Sequence, residues 1–549
     1  MLRRLLPPLV LFLVTAGMPP GAAAAWLSAL TQAAKPETVS SGPLFLVTGH
    51  GWGHGVGMSQ YGALGYAEHG WSYQKILAHF YPGTTLGAAP VAKVRVLLRA
   101  GASSVQVMSP GPYKAKDGDG QAYDVAAGTQ TLGPKLKLKL VDADKPKALK
   151  PPVTLQPAGQ PLGLDSRHYR GSLQLDVVSG RLRVINVVGL EPYLYGVVPA
   201  EMPFSWHSEA LKAQAVAARS YGLAVRKTDG AFDLYADTRS QVYLGVEHEK
   251  PSTNAAVDAT AGQVVLYNGA VATTYFFSTS GGRTASPGDA WGANGKAVPY
   301  LVSVPDPYDT ISPYHSWGPV AYGGAKLARA LHVPGAATDV ETTLNGSGRV
   351  ATLTVVTPRG RFPVAGPDVR KLLGLRSTWF SVGVLSLKAP ATPVVFGSTA
   401  QLDGVARGVG KVDLQQRVGR ALWQTVRQAV PKHGTVSIVT KPTVTTQYRL
   451  AAKAAAAGAV RVAVTPRVRI AAPDPTTVRG TVRPAFAGVT VQIQRLDGTN
   501  WTRVARTELA TGGRFEAHVQ LAAGLYRARV APGHGFVPGT SPPLKVVTG

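Results

Sequence analysis

The stretch VVGLEPYLYGVVPAEMPFSWHSEALKAQAVAARSYGLAVRK, residues 187–227, decides the fold of the chain around it. Five small or apolar residues recur in it at helical spacing, namely Leu211, Ala215, Ala218, Gly222 and Val225. This spacing predicts a helix that Ser205 can cap and that runs to about Lys227. Because the side chains of the apolar stripe are small, we expect this helix to pack closely against a neighbouring element.

Three charged residues in this stretch have more than one interpretation. Lys212 and Arg219 are seven positions apart, so both side chains leave the predicted helix in the same direction. They form either an ordinary solvated surface or a partly covered cationic ridge that needs an anionic or hydroxyl-rich partner. We favour the ridge, because the neighbouring residues are mostly alanine. Glu201 lies between Pro199 and Pro203, which restrict the backbone. Spacing alone favours Glu201 as a partner of the helix dipole rather than as a catalytic group.

Two other segments have the composition of ligand-binding walls. TTYFFSTSGGRTAS, residues 273–286, is an apolar strand that ends in a turn of small polar residues, although an ordinary strand-to-loop turn has the same composition. Its candidate ligand groups are Ser278, Thr279 and Ser280 and the amides of Gly281 and Gly282. DTRSQVYLG, residues 237–245, offers Asp237, Gln241 and Tyr243 beside a strand.

The segment TGHGWGHGVGMSQYGALGY, residues 48–66, places two histidines in a run of glycines. His50 and His54 are four positions apart, which suits a metal site on a helix. The intervening glycines disfavour a helix here, so we expect no metal site. The segment instead predicts a loop whose backbone and histidines line a groove, followed by a helix that begins at Ser59.

The composition of the chain limits its class. With 549 residues, the chain is too long for one core and is expected to form about three domains. The absence of cysteine excludes disulfides, thiolate metal sites and cysteine nucleophiles. A net charge of +27 favours an anionic partner, and the sequence patterns of nucleic-acid-binding families are absent. We therefore expect adhesion to an anionic cell wall and no nucleic-acid partner.

The N-terminus has the pattern of an export signal. Two arginines precede the apolar run Leu5–Val14, which is too short to span a bilayer comfortably. This predicts a secretory signal peptide over residues 1–25, cleaved near Ala24 or Ala25, and a secreted or cell-envelope location. An uncleaved anchor is the alternative. A linker follows over 26–42.

The predicted secondary structure of the chain changes after residue 388. Residues 43–388 have mixed α/β patterning, whereas the chain beyond KAPATPVVFG, residues 388–397, is β-patterned and repeats every 78 residues. The repeated residues are Gly410, Arg417, Trp423 and Tyr448, followed by Gly488, Arg495, Trp501 and Tyr526. The repeat predicts two immunoglobulin-like β-sandwich domains, 389–471 and 472–549. Residues 391–549 contain 21 Lys or Arg and 6 Asp or Glu, which fits either a solvated spacer or a wall-adhesion module.

Several long blocks of the chain resemble one family. They are YLYGVVPAEMPFSWHSEALKAQAVAARSYGLAV, SQVYLG, FSTSGGRTAS, LGLRSTWF and GWGHGVGMSQYGALGYAEHGWSYQKILAHFYPGTTL. These blocks, which cover most of residues 44–387, resemble the SpoIID/LytB family of stage II sporulation protein D and the amidase enhancers. The resemblance implies an α+β SpoIID-like catalytic domain ahead of the two β-sandwiches.

The resemblance also implies an activity. It predicts a lytic transglycosylase that cleaves peptidoglycan glycan strands, with Glu201 as the acid/base and anhydromuramic acid as the new end. In the sporulation members the glycan lacks stem peptides. The alternative is a non-catalytic glycan-binding protein that enhances a cell-wall amidase. The process served is either sporulation or wall remodelling in growth and division.

The family motifs extend the list of candidate site residues. The substrate-binding residues that they imply, together with the groove residues above, are Lys212, Gln214, Arg219, Tyr221, Ser278, Ser280, Gly281, Gly282, His54, Ser59, Gln60 and Tyr61. Trp52 is a further candidate sugar contact. Some family members bind zinc through cysteines, and because this chain has none we expect neither metal nor cofactor.

The resemblance leads to two expectations for the structure, one from the order of its motifs and one from the pKa of Glu201. The GHGVGMSQ block usually follows the LGLRSTxF block, whereas here it comes first, which is the order of a circular permutation. The glycine–histidine loop should then lie in the same groove as Glu201. In addition, Glu201 can act as an acid only if its pKa lies well above about 4.3. Burial must therefore outweigh the cations of Lys212 and Arg219, or these cations must lie farther away.

Overall fold

The computed structural model of the protein describes residues 42–453 and 455–547. The predicted signal peptide and nearly all of the predicted linker lie outside the described residues. The α-helices within these ranges are α1 Gln60–Glu68, α2 Tyr73–Phe80, α3 Leu190–Glu201, α4 Ser208–Val225, α5 Pro251–Asp258, α6 Pro287–Trp291, α7 Gly324–Ala330 and α8 Gly366–Leu373. Short 3₁₀ turns are Val246–His248, Gly292–Asn294 and Asp309–Ile311. None of the helices in the described ranges has both the length and the apolar character that a bilayer span requires.

A large β layer supports the helices from one side. Its seven strands, in spatial order, are Leu234–Tyr235, Lys93–Ala102, Arg181–Gly189, Ser172–Val178, Val153–Gln156, Tyr113–Lys116 and Ala122–Val125. A second sheet in the same core has the strands Arg167–Tyr169, Leu162–Leu164, Val105–Ser109 and Gly128–Leu132, and Lys137–Leu138 pairs with Lys147–Ala148 nearby. Helix α3 packs its apolar side chains into this core, because it follows directly from the strand Arg181–Gly189.

Helix α4 lies at the centre of the α+β region and contacts α1, α2, α3 and α5. It is buried on nearly every side, which its many alanines permit by allowing close approach of four helices. The predicted cap was wrong: the side chain of His207, not Ser205, accepts a hydrogen bond from the amide of Glu209 at 3.2 Å. Small strands complete this layer: Ala270–Val271, Gln263–Tyr267 and Thr85–Ala88 form one sheet, and Met58–Ser59 pairs in parallel with Phe276–Phe277.

One sheet joins the two ends of the α+β region and continues beyond it. Its strands, in spatial order, are Ser316–Gly323, Leu44–His50, Phe380–Lys388, Ala400–Arg407 and Thr435–Thr440. Leu44–His50 and Phe380–Lys388 are antiparallel neighbours, so the first and last motifs of the region lie side by side, as a permuted order requires. The boundary predicted at 388/389 therefore falls between two neighbouring strands of one sheet. A separate sheet, Asp339–Leu344, Val350–Thr357 and Gly360–Ala365, packs with α7 and α8.

The remainder of the chain is β-rich. In the first β region, a second sheet packs against the shared sheet. Its strands are Gln424–Ala429, Val412–Arg417, Thr446–Ala452, Ala455–Ala456 and Val460–Val462. Val394–Val395 and Val464–Thr465 form a separate two-stranded pair. The second β region has one sheet of Arg467–Asp474, Thr477–Arg483 and Arg514–His518. Its other sheet has Asn500–Glu508, Thr490–Asp497, Gly524–Val530, Gly539–Thr540 and Leu544–Val546. The boundary predicted at 471/472 lies inside the strand Arg467–Asp474, because the repeat period marks equivalent residues and not strand ends.

The 78-residue repeat corresponds to similar strands with one change of register. Tyr448 and Tyr526 are both buried at equivalent places, each 1% exposed. In the first β region Tyr448 faces Gln416 on the neighbouring strand, whereas in the second Tyr526 faces Arg495. Arg417 and Arg495, which are equivalent in sequence, are therefore not equivalent in the sheet.

Candidate functional site

Glu201 is the last residue of α3, a helix that the sequence did not predict. The chain turns to an extended conformation at Met202, and α4 begins seven residues after Glu201. The carboxyl group thus lies at the negative end of its own helix dipole, where a negative charge is disfavoured. The expectation that Glu201 stabilises the N-terminus of the following helix is not met, because α4 is capped by His207 instead.

The surroundings of Glu201 favour its protonated form. Burial raises the pKa of Glu201 to about 7, and a hydrogen bond from the backbone of Val242 opposes this shift only in part. Tyr193 and Tyr221 interact electrostatically with the carboxyl group. The side chain remains partly exposed, and no ion pair reaches it from any described residue. At neutral pH, Glu201 is therefore poised between its acid and base forms.

The two cations that could have lowered this pKa are engaged elsewhere. The guanidinium of Arg219 is completely buried, where it pairs with Glu191 and donates to the carbonyl oxygen of Gln263 at 3.1 Å. The ammonium of Lys212 donates to Glu209 Oε1 at 2.7 Å. The predicted cationic ridge is therefore wrong for Arg219, which cannot contact a ligand, and Lys212 forms a pair on its own helix. Burial outweighs charge at Glu201 because the charges are already paired.

Residues 241–245 lie across the junction of α3 and α4 and present the Val242 amide to Glu201. Gly196 of α3 permits this approach, because a Cβ atom there would be 2.7 Å from the ring of Tyr243. Gln241 is buried and accepts a hydrogen bond from Tyr193 at 3.2 Å, and Tyr243 is buried and donates to Asn186 at 2.9 Å. Gln241 and Tyr243 therefore support the site from inside, and Asp237 pairs with Arg239 at the surface.

The glycine–histidine loop packs against the segment 273–286. Gly51 and Gly57 have φ angles of +74° and +76°, and a Cβ atom at Gly57 would be 2.1 Å from the carbonyl oxygen of Tyr275. These positions require glycine both for their backbone conformation and for the close contact. The amide of Tyr61 donates to the carbonyl oxygen of Ser278 at 3.0 Å.

This loop reaches Glu201 through Gln60. The side-chain amide of Gln60 donates to the carbonyl oxygen of Glu201 at 3.0 Å and approaches Gln214 Oε1 at 3.4 Å. The structure therefore brings the first motif of the chain to the acid of the AEMP motif. Gln60 and Gln214 are buried, so they position Glu201 from behind. Ser59 is also completely buried and caps α1, as its place before that helix predicts, and does not face a ligand.

The polar turn after residue 277 is mostly used internally, which corrects the expectation that it binds a ligand. Ser280 is completely buried and donates to Asp309 Oδ2 at 2.9 Å, and the amide of Gly281 donates to the same oxygen at 2.5 Å. The amide of Gly282 donates to Ser280 Oγ at 3.0 Å. Only Ser278 keeps a half-exposed hydroxyl.

His54 lies among aromatic rings rather than among metal ligands. Its ring centre is 5.4 Å from that of Phe277 and 5.5 Å from that of Trp291. Burial, and then the nearby Arg370, lower the pKa of His54 to about 4, so the ring is neutral at neutral pH. Within the described residues, no three His, Asp or Glu side chains come together as metal ligands.

Aromatic side chains line the approach to Glu201. Tyr61 packs edge-on against Trp206, with ring centres 4.7 Å apart, and Tyr221 lies 5.6 Å from Tyr275. All four side chains are half-exposed. Such rings suit the apolar faces of sugars, and they belong to four separate segments of the chain.

Arg376 is a candidate site residue that the sequence reasoning missed. Its guanidinium lies 4.7 Å from the ring centre of Trp52 and 4.5 Å from that of Tyr314, and it has no ion pair with any described residue. Trp52 is 40% exposed. The signal was available, because Arg376 belongs to the LGLRSTWF block, but no charge pattern in that block distinguishes it from a surface arginine.

Asp306 is a second carboxyl group of raised pKa, but unlike Glu201 it is not accessible. Burial, and then the nearby Asp309, raise the pKa of Asp306 to about 7. Asp306 is completely buried beneath Gly62, so it cannot contact an external ligand. Glu201 thus combines a raised pKa with an exposed edge, and Asp306 does not.

Comparisons with known proteins match the part of the chain that contains Glu201. The model of the SpoIID family, described as Stage II sporulation protein, matches residues 178–267, which include α3 and α4. Stage II sporulation protein D of Bacillus subtilis is 31% identical over 218 residues, covering 35% of this chain and 60% of that protein. The Amidase enhancer of Bacillus subtilis is 41% identical over 116 residues, covering 21% of this chain and 15% of that protein.

A third relative has no described function. An uncharacterized protein of Brachyspira hyodysenteriae is 40% identical over 144 residues, covering 26% of this chain and 38% of that protein. The chain therefore spans between 15% and 60% of the length of these three curated relatives.

Proposed function

Because residues 178–267 match the model of the SpoIID family, we propose that this chain is a peptidoglycan lytic transglycosylase. The match to the SpoIID family model supports a role connected with the cell wall. The observation that carries the finer proposal is Glu201: a half-exposed carboxyl group with a pKa raised to about 7 and no cationic partner among the described residues.

The proposed reaction uses one carboxyl group twice. Protonated Glu201 donates its proton to the glycosidic oxygen, and the bond from that oxygen to the muramic acid C1 breaks. The 6-hydroxyl of the same sugar forms a new bond to C1 and returns its proton to Glu201. No water enters, so no second carboxylate is required, in contrast to a hydrolase. The burial of Asp306 supports this one-carboxylate scheme.

The half-exposed rings support glycan binding. Tyr61, Trp206 and Tyr221 offer apolar faces to the sugars beside Glu201. The Arg376 guanidinium, held between Trp52 and Tyr314, supports a preference for strands without stem peptides. Such strands carry a free lactyl carboxylate, and a guanidinium pairs strongly with a carboxylate.

Product analysis tests this proposal. We expect the chain without residues 1–25 to release glycans with anhydromuramyl ends, and Glu201→Gln to release none. Glu68→Gln is a matched control, since Glu68 is also the last residue of a helix but is exposed. Comparison of intact with peptide-stripped peptidoglycan identifies the substrate. Reducing ends in place of anhydro ends would contradict the one-carboxylate scheme.

The second candidate is a glycan-binding enhancer of a cell-wall amidase. The 41% identity to the Amidase enhancer of Bacillus subtilis favours it. It predicts that wild type and Glu201→Gln bind glycan equally, that neither cleaves it, and that both stimulate a purified amidase to the same extent.

The proposal also includes export of the protein and an immunoglobulin-like class for its two C-terminal β regions. The N-terminal pattern supports secretion to the cell envelope, where the glycan is found. An immunoglobulin-like class for the two β regions is supported by Tyr526, whose hydroxyl donates to the carbonyl oxygen of Ala522 at 3.0 Å. This contact has the form of a tyrosine corner.

A further inference from the structure

Three cross-strand rows in the two C-terminal β regions have the same composition, arginine–glutamine–arginine. These arginine rows are Arg417–Gln447–Arg461, Arg503–Gln494–Arg527 and Arg506–Gln492–Arg529. In each row a glutamine on the middle strand separates two arginines on the outer strands. Burial alternates along residues 446–450 and Gly524–Val530, where the row residues lie on the side opposite the core. On Thr490–Asp497, Gln492 is half-buried and Gln494 is buried next to a shift in register.

The rows impose a regular spacing on the cations. Neighbouring strands lie about 4.8 Å apart, so the two arginine backbones of one row are roughly 10 Å apart. The two rows of the second β region are separated by two residues, or about 7 Å, along Thr490–Asp497 and Gly524–Val530. Along Asn500–Glu508 they are separated by three residues, because the register shifts there. Glutamine orients one arginine in a row: Arg417 Nε donates to Gln447 at 2.5 Å and Arg527 Nε donates to Gln494 at 2.7 Å.

Each β region adds a tryptophan to this face. The guanidinium of Arg449 lies 4.1 Å from the ring centre of Trp423, and that of Arg527 lies 4.3 Å from that of Trp501. Arg449 Nε donates to Gln415 at 2.8 Å, as Arg527 does to Gln494. The same cluster therefore occurs twice, and in both copies the tryptophan and this arginine are separated by 26 residues.

These cations have no carboxylate partners in the described part of the chain. Arg461, Arg503 and Arg506 are exposed, and no described residue forms an ion pair with any arginine of the rows. Burial, and then the neighbouring Arg529, lower the pKa of Arg527. Like charges on neighbouring strands destabilise a sheet. A face that keeps such charges together is suited to an anionic ligand that spans several of them.

The choice of arginine indicates the chemistry of the ligand. Residues 391–549 contain 16 arginines and 5 lysines, and arginine binds phosphate through two parallel hydrogen bonds. Single-stranded nucleic acid also requires open aromatic faces for its bases. Here arginines cover both tryptophans. We propose that the arginine rows bind a linear polyol-phosphate polymer of the cell wall and thereby hold the chain on its substrate.

Two charge-matched variants test this proposal. Arg503→Gln/Arg506→Gln removes two exposed row arginines. Arg469→Gln/Arg514→Gln removes two exposed arginines from the opposite sheet of the same region, so both variants lower the net charge by two. Binding of the chain without residues 1–25 is measured on poly(glycerol phosphate) and on walls before and after removal of their phosphate polymers. We expect the row variant to bind about 10- to 30-fold more weakly and the control variant to bind nearly as wild type.

Three results would overturn the proposal: equal losses in the two variants, undiminished binding to walls without phosphate polymer, or tighter binding to single-stranded DNA of equal charge. Cleavage of soluble glycan separates this proposal from the proposed activity. The row variant should cleave soluble glycan as wild type does, whereas Glu201→Gln should lose cleavage and keep its attachment to the wall.

Discussion

The two ends of helix α3 each carry a glutamate, and the two carboxyl groups are in opposite situations. Glu191, in the first turn, lies at the positive end of the helix dipole, pairs with Arg219 and accepts a hydrogen bond from the amide of Gly262 at 3.0 Å. Glu201, in the last turn, lies at the negative end without an ion pair among the described residues, and its pKa is raised to about 7. One helix thus contains an ion-paired carboxylate and a carboxyl group of raised pKa that has no ion pair among the described residues.

The contrast shows that an acidic and a basic side chain of one sequence motif need not interact in the folded chain. Arg219 belongs to the same motif as Glu201, yet its guanidinium is directed to the far end of α3. Pairing Arg219 with Glu191 removes a positive charge from the neighbourhood of Glu201. The pair of Arg219 and Glu191 therefore contributes indirectly to the raised pKa of Glu201.

The largest expected effect is on activity. Glu201→Gln should lower the rate of glycan cleavage by about 100- to 10,000-fold, because general acid–base catalysis is lost. Urea unfolding at neutral pH should show that the variant is folded. A residual rate within threefold of wild type would remove Glu201 from the role of acid/base and leave the enhancer as the function.

Breaking the pair at the other end of α3 should instead affect stability. Arg219→Met leaves Glu191 without its ion pair, and we expect the free energy of unfolding to fall by about 3 kcal/mol. The double variant Arg219→Met/Glu191→Gln should recover part of this loss, since it removes the uncompensated charge. Equal stability of Arg219→Met and wild type would mean that the pair is not structural.

The pH dependence of activity follows from the raised pKa. Cleavage requires protonated Glu201, so the rate should fall about tenfold per pH unit above a pKa of about 7. The profile is measured on soluble glycan. An acid limb with an apparent pKa near 4.5 in place of this alkaline limb would indicate that Glu201 acts only in its ionised form.

The same pKa predicts a stability change of known sign. Between pH 4.5 and about 7, folded Glu201 retains a proton that the unfolded chain releases, so raising the pH favours unfolding. Glu201→Gln removes this cost and should stabilise the fold at pH 8 by about 1–3 kcal/mol relative to wild type, with no gain at pH 4. A larger gain at pH 4 than at pH 8 would reverse the assigned shift.

The smallest expected effect concerns Lys212. Its pair with Glu209 is partly exposed, so Lys212→Met should change the free energy of unfolding by about 0.5 kcal/mol or less. The pH profile of cleavage should also be unchanged, because the ammonium is held by Glu209. A shift of the alkaline limb in this variant would show that Lys212 does influence Glu201.

The sequence predicted the parts of the site that depend on local pattern. The apolar stripe of α4 and the helix that begins after Ser59 are confirmed, because periodicity and capping act over a few residues. Helix α3 was missed, since its prolines and its overall apolar character conceal a helical period. The two predicted domain boundaries do not coincide with breaks in the sheets. Strand 380–388 pairs with 400–407 across the first boundary, and the second boundary lies inside the strand Arg467–Asp474.

The amino-acid sequence was sufficient to show the resemblance to the SpoIID/LytB family, the position of Glu201 in its motif, the lack of cysteine and the excess of positive charge. Only the tertiary structure decided which polar residues remain accessible. The sequence predicted that Arg219, Ser280 and Gly281 bind a ligand. In the structure each of them is buried and interacts with a carboxylate from a distant segment. Pairing of charges and burial depend on contacts between residues far apart in the chain, and these contacts exist only once the chain is folded.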